Sequence, residues 1–257
     1  MIEFVIIKNS ISKLGRIVML KIDHLVGGYV NIPVLKDISF EVSSGEVVGL
    51  IGLNGAGKST TISEIIGLLQ PYQGSVTLDG LQLLENPESY RRKIGYIPET
   101  PILYEELTLQ EHLDTVALAY GLGEQQELRQ RLLQLFRLED KLDWYPINFS
   151  KGMKQKVMII AALMIEPSLL IVDEPFLGLD PLAIRDLTTI IAEEKAKGTA
   201  VLMSTHVLDS AEKMCDRFVI LHHGEILANG SLEELRQQFS LPTADLTDIY
   251  MQLTQEN

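Results

Sequence analysis

The feature that most constrains this chain is an apolar run, Glu46–Gly52 (EVVGLIG), that leads straight into Gly52-Leu53-Asn54-Gly55-Ala56-Gly57-Lys58-Ser59-Thr60. A segment apolar almost throughout reads as a strand buried on both faces. A glycine-rich turn follows, then a helical pattern from Lys58 to Leu69 that Pro71 is expected to stop. Glycines let backbone N–H groups crowd around phosphate oxygens, and the next helix aims its positive end at them. The pattern is that of a phosphate-binding loop spanning Gly52 to Thr60. Lys58 is expected on the β- and γ-phosphates of ATP, and the Ser59 hydroxyl on Mg²⁺.

The rest of the chain alternates short Val- and Ile-rich runs with helical patterns, the layout of an α/β domain. Met19–Leu25 and Ile38–Val42 read as antiparallel strands, and Ser75–Leu78 and Lys93–Ile97 as two more, the last two separated by a polar loop around Asn86-Pro87. From Leu107 to about Leu142 the period turns helical, with Leu128, Leu132, Leu135 and Leu138 on one face, so 104–165 is expected to form a helical lobe. Strands resume at Leu169–Pro175, Thr199–His206 and Arg217–Ile226, the last with a tight hairpin at His223-Gly224. The tail 231–257 reads as an amphipathic helix, a loop at Leu241-Pro242 and a final short helix. Residues 1–18 read as a loose N-terminal extension ahead of Met19, the first well-patterned strand.

Leu169-Leu170-Ile171-Val172 ends in Asp173-Glu174, which places two carboxylates at the sheet edge where ligands bind in α/β folds. Neighbouring strand residues point to opposite faces, so the two acids need not share a job. Asp173 is the expected Mg²⁺ partner, and Glu174 the expected base or orienter for an attacking water.

Between the loop and these acids lies Phe149-Ser150-Lys151-Gly152-Met153. With it, the chain resembles an ABC ATPase domain across nearly all of residues 19–230. The resemblance implies a P-loop NTPase fold with a RecA-like core, an antiparallel β subdomain and an α-helical subdomain. It implies that Ser150, Lys151, Gly152 and Met153 occupy the signature, with Phe149, Lys151 and Met153 departing from the usual Leu-Ser-Gly-Gly-Gln. It further implies Tyr29 stacked on adenine, Asp180 in the loop that couples paired sites, and His206 as the switch histidine reaching the γ-phosphate. Glu99 stands where the family usually has Gln, beside Mg²⁺ or the attacking water, and is expected to add to the metal site.

The stretches IPETPILYEELTLQEHL, FSKGMKQKVMI, DEPFLGLDPLAI and VLMSTHVL are similar to the Ecs-type exporter ATPases of Gram-positive bacteria. That likeness implies a homodimer or pseudo-dimer with ATP between the copies. It also implies a polytopic permease on a separate chain, a place on the cytoplasmic face of the membrane, and export of peptides or other hydrophobic cargo.

Composition narrows the partners. A net charge of −13 opposes a long nucleic-acid groove, and the one cysteine, Cys215, allows no internal disulfide. The longest apolar stretch, Val157–Ile165, is about half the ~20 residues of a membrane span. Two rival readings stand beside transport: a soluble translation or DNA-repair ABC ATPase, and a non-hydrolytic nucleotide sensor. One cassette and an acidic balance oppose the first; intact Lys58, Asp173, Glu174 and His206 oppose the second.

Overall fold

The computed structural model describes residues 17–30, 32–123, 126–176 and 178–255 of the chain. Two sheets meet at its centre. The smaller is wholly antiparallel, in the order β2 (Ile32–Ser43), β1 (Val18–Tyr29), β4 (Gln73–Leu78), β5 (Leu81–Gln82). The larger runs β10 (Glu225–Gly230), β9 (Arg217–His222), β3 (Val47–Ile51), β8 (Ala200–Thr205), β7 (Leu169–Asp173), β6 (Ile94–Ile97). Its strands are parallel except β10, which turns back on β9 through the hairpin at His223-Gly224.

The period of two along each central strand decides which layer each side chain joins. Leu170 and Val172 of β7, with Val201 and Met203 of β8, face the core of the helical lobe. Their neighbours Leu169, Ile171, Ala200 and Leu202 face the core shared with the antiparallel sheet. This is why LLIV and AVLM are apolar without a break: both faces are covered. A third core joins Ile51, Phe218 and Ile220 to the C-terminal tail.

Helix α1 (Lys58–Ile65) follows the glycine loop, and α2 (Pro87–Arg91) forms in the Asn86-Pro87 segment expected as loop, with proline at its first turn. Helix α1 also ends earlier than the expected Leu69. Gly67, at φ 76°, takes the left-handed conformation, and a Cβ there would lie 2.4 Å from Leu83 Cδ2. The glycine therefore stops the helix before Pro71 is reached. The stretch from Leu107 to Leu142 is α3 (Leu109–Tyr120) and α4 (Gln126–Phe136), and α5 (Lys151–Leu163) follows. Helices α6 (Pro181–Lys197) and α7 (Leu208–Met214) flank β8, and the tail forms α8 (Leu232–Gln238) and α9 (Leu246–Gln255).

The first hairpin is longer than its pattern indicated, because shifts in register at Gly27 and Gly28 let pairing continue to Tyr29 and Ile32. Strand β1 opens at Val18, and the Ile17 carbonyl already accepts from the Ser44 N–H. Of the extension expected over 1–18, residue 18 thus belongs to the sheet and residue 17 is bonded beside it; residues 1–16 lie outside the described residues. No described helix is long and apolar enough to cross a membrane.

Candidate functional site

Strand β3 delivers the glycine loop to the sheet edge. Gly57 sits at φ 112° as the N-cap of α1, without a side-chain cap. The first N–H groups of this helix are therefore left for a ligand. A Cβ on Gly52 would lie 2.6 Å from the Leu221 carbonyl oxygen, so that glycine is required by close approach. A cleft of about 450 Å³ opens over the loop, lined by Tyr29, Val34, Leu53, Asn54, Gly55, Gly57, Lys58, Ser59 and Thr60. Gly52 and Ala56, expected with them, stand behind it: Ala56 is 5% exposed, and its carbonyl accepts from the Gly224 N–H at 3.0 Å. Tyr29 is 48% exposed at the hairpin end, where an aromatic ring can meet a planar group.

The two carboxylates at the end of β7 take different partners. Asp173 takes a hydrogen bond from the Ser204 hydroxyl of β8. Burial holds its carboxyl above the usual range; the Ser204 bond opposes this, and the charges of Glu174 and Glu99 add to it. Glu174 turns the other way, at φ 47°, a left-handed conformation uncommon for a residue with a side chain. Its Oε2 accepts from Thr205 Oγ1 at 3.2 Å. Its Oε1 lies 2.8 Å from His206 Nδ1 and 3.7 Å from Lys58 Nζ. Glu174, His206 and Lys58, expected to be catalytic, are thus one connected group. Lys58 is 6% exposed and donates to the Gly52 carbonyl at 2.8 Å.

Among the described residues no group of three or more His, Cys, Asp or Glu could hold a metal alone. The donors near the phosphate loop are all oxygens: the exposed Ser59 hydroxyl, buried Asp173, and exposed Glu99, whose charge is felt at Asp173. A set of few carboxylates plus phosphates suits Mg²⁺. An ion there would remove the penalty that raises Asp173.

Ser150, Lys151, Gly152 and Met153 line no part of this cleft. Ser150 caps α5, its Oγ accepting from the Met153 N–H at 3.2 Å. Gly152 passes so close to the Gly178 carbonyl that a Cβ would lie 2.6 Å from it. Phe149 is buried in the helical-lobe core and Met153 packs against it, so the two apolar departures from the signature serve packing, while Lys151 stays exposed. Helix α5 is tied to both neighbouring loops: Gln155 Nε2 donates to the Pro98 carbonyl at 2.8 Å, and Lys156 Nζ to Asp180 at 3.0 Å. Asp180 also caps α6 through the Ala183 N–H, and these bonds hold its carboxyl below the usual range. Sequence reasoning passed over Gln155 because nothing in its local pattern marks a tie to residue 98.

A family model described as ABC transporter matches residues 35–177. The chain belongs to the ABC transporter family. It is 55% identical, over 93% of its length and 98% of the relative's, to the ABC-type transporter ATP-binding protein EcsA of Bacillus subtilis. A solved ATP-binding subunit of an ABC transporter superposes with a TM-score of 0.88 at 55% identity, covering 92% of this chain and 99% of that one. The ATP-binding cassette MJ0796, solved as a dimer in a post-hydrolysis state bound to ADP and Pi, gives 0.74 at 26% identity, covering 83% and 99%. This ABC protein is accordingly an ATP-binding transporter subunit and an ATPase with the expected two-sheet α/β fold.

Proposed function

We propose that this subunit is the motor of an exporter, working as two ATPase chains that enclose ATP between them. The observation that carries the reading is a separation within one chain. Lys58, Glu174 and His206 gather at the phosphate loop, whereas Ser150 stands on the helical lobe, away from that cleft. A second copy would bring its Ser150 hydroxyl and the start of α5 to the open side of the nucleotide. ATP would then hold the closed pair together by binding it more tightly than the open one.

In the cleft, Tyr29 would stack on the base while the N–H groups at the start of α1 receive the phosphates. Lys58 would exchange the Gly52 carbonyl for phosphate oxygens, leaving Glu174 free of it. Glu174 then takes the proton of the attacking water, while His206 and Thr205 hold its carboxylate in place. Mg²⁺, held by Ser59, Asp173 and Glu99 with the phosphates, would neutralise charge that develops there. Pro98 and the apolar-rich segment after Glu99 suit a groove for a helix of a polytopic permease on a separate chain, which would place the subunit on the cytoplasmic face of the membrane. Peptides or other hydrophobic cargo follow from the likeness to Ecs-type exporters.

Glu174→Gln tests this. With Mg-ATP the variant should run as a dimer on size exclusion, return to monomer with ADP, and turn over about 10²–10⁴-fold more slowly. It should also co-purify with a multi-span membrane chain. A variant that hydrolyses at the normal rate would remove Glu174 from the role, and one that stays monomeric with saturating ATP would sink the sandwich.

A further inference from the structure

The final helix carries its apolar residues at helical spacing. Leu246, Ile249, Tyr250 and Leu253 are 0%, 0%, 4% and 8% exposed. They pack with Ile51, the last residue of β3, and with Phe218 and Ile220. This seating brings the Tyr250 hydroxyl to the phosphate loop, where it accepts the Leu53 N–H at 3.2 Å.

That N–H belongs to the same peptide unit as the Gly52 carbonyl, which accepts from Lys58 Nζ at 2.8 Å. A peptide unit is planar, so fixing one edge fixes the other. A bond accepted from its N–H also polarises its carbonyl toward Lys58. The far end of α9 is anchored as well: the Leu246 N–H donates to Glu212 Oε2 at 2.8 Å. Glu212 lies on α7, which begins two residues after His206. The tail is therefore bonded both to the loop that receives the phosphates and to the helix behind the switch histidine.

We infer that Tyr250 is a positioning residue for Lys58, acting through the Gly52–Leu53 peptide, and that the tail sets nucleotide affinity through it. The inference rests on the reading of the cleft as the ATP site. When Lys58 leaves for the phosphates, the Tyr250 bond keeps the Gly52 carbonyl from turning its negative end toward them. Without the hydroxyl the peptide is free to rotate, and affinity falls before chemistry does.

Tyr250→Phe in the full chain removes the hydroxyl and keeps the ring in its core. The dissociation constant for Mg-ATP should rise about 3–10-fold, the size of one lost neutral hydrogen bond. The maximal rate should stay within about twofold, the melting temperature without nucleotide should fall by no more than about 2–4 °C, and the Leu53 amide should exchange faster with solvent. An unchanged dissociation constant, or unchanged Leu53 exchange, overturns the inference. A lowered melting temperature with normal affinity shows a bond that serves stability alone and also overturns it. Failure of the wild-type chain to bind ATP would instead strike the assignment of the cleft, so the two failures are distinct.

Discussion

Two helix N-termini in this molecule each carry a glycine, a lysine and a serine, and differ in how they begin. Helix α1 starts at Gly57, with no side chain covering its first N–H groups, whereas α5 starts at Ser150, whose own hydroxyl oxygen accepts the Met153 N–H. The first is an open anion site, with Lys58 folded against it on the Gly52 carbonyl. The second is already satisfied as an acceptor, and what it has left to offer is the hydroxyl proton of Ser150 and the positive end of the helix. In the proposed pair, the uncapped start together with Lys58 would hold the phosphates, and the capped one would add a contact to phosphate already held elsewhere. The asymmetry fits a loop that captures nucleotide and a signature that closes over it.

The contrast breaks most readily at Lys58. Lys58→Ala should lower ATPase activity by about 10²–10³-fold, and isothermal titration should show ATP binding lost or greatly weakened. Retained affinity with full turnover would mean that the open N-terminus of α1 does not need its lysine.

Ser150→Ala separates the two helix starts. Binding of ATP to a single chain should match wild type, while turnover falls about tenfold or more, as for one hydrogen bond to a charged group. The lost cap should also cost roughly 1 kcal/mol in a denaturant titration. Weaker ATP binding by the isolated chain would place Ser150 in its own cleft and erase the distinction.

The smallest effect on activity, though not on stability, is expected at the far end of α1. Glu64 is 1% exposed, and neither carboxyl oxygen has a hydrogen-bond partner among the described residues. It lies so close to β1 that a Cβ on Gly27 would fall 1.6 Å from its Oε1. Burial pushes this carboxyl up from 4.5 to about 7. Below 4.5 it is neutral both folded and unfolded. Between those values the unfolded chain releases the proton and the folded one keeps it, so stability falls as pH rises through this window and levels off above about 7. Glu64→Met should remove that slope, worth about 3 kcal/mol over the whole window, and melting curves at pH 5 and pH 8 would show most of it. No matching slope should arise from the capped start of α5, where the Ser150 cap does not titrate in this range.

Much of the site lay open in the primary structure because its parts are local. A glycine loop between a strand and a helix, two acids closing an apolar strand, and the hairpin at His223-Gly224 each depend on residues a few positions apart. In two places where the reading of the fold failed, a glycine was weighed too lightly. Gly67 ended α1 ahead of Pro71, while Gly27 and Gly28 carried β1 beyond the expected Leu25 through register shifts. The spacing of Leu128 to Leu138 was helical, yet Leu138 lies past the end of α4 because Arg137, at φ 60°, turns the chain.

By itself, then, the order of residues determined the α/β class, the phosphate loop and the strand that presents Asp173 and Glu174. These follow from backbone freedom and hydrophobic period, which act over a few residues. Only the tertiary structure decided that Thr205 and His206 clasp Glu174, that Gln155 grips the Pro98 carbonyl, and that Tyr250 reaches the amide of Leu53. Such contacts join residues tens to nearly two hundred positions apart. No local preference encodes them; they exist because burying the apolar faces of the strands and of α9 brings those polar atoms together.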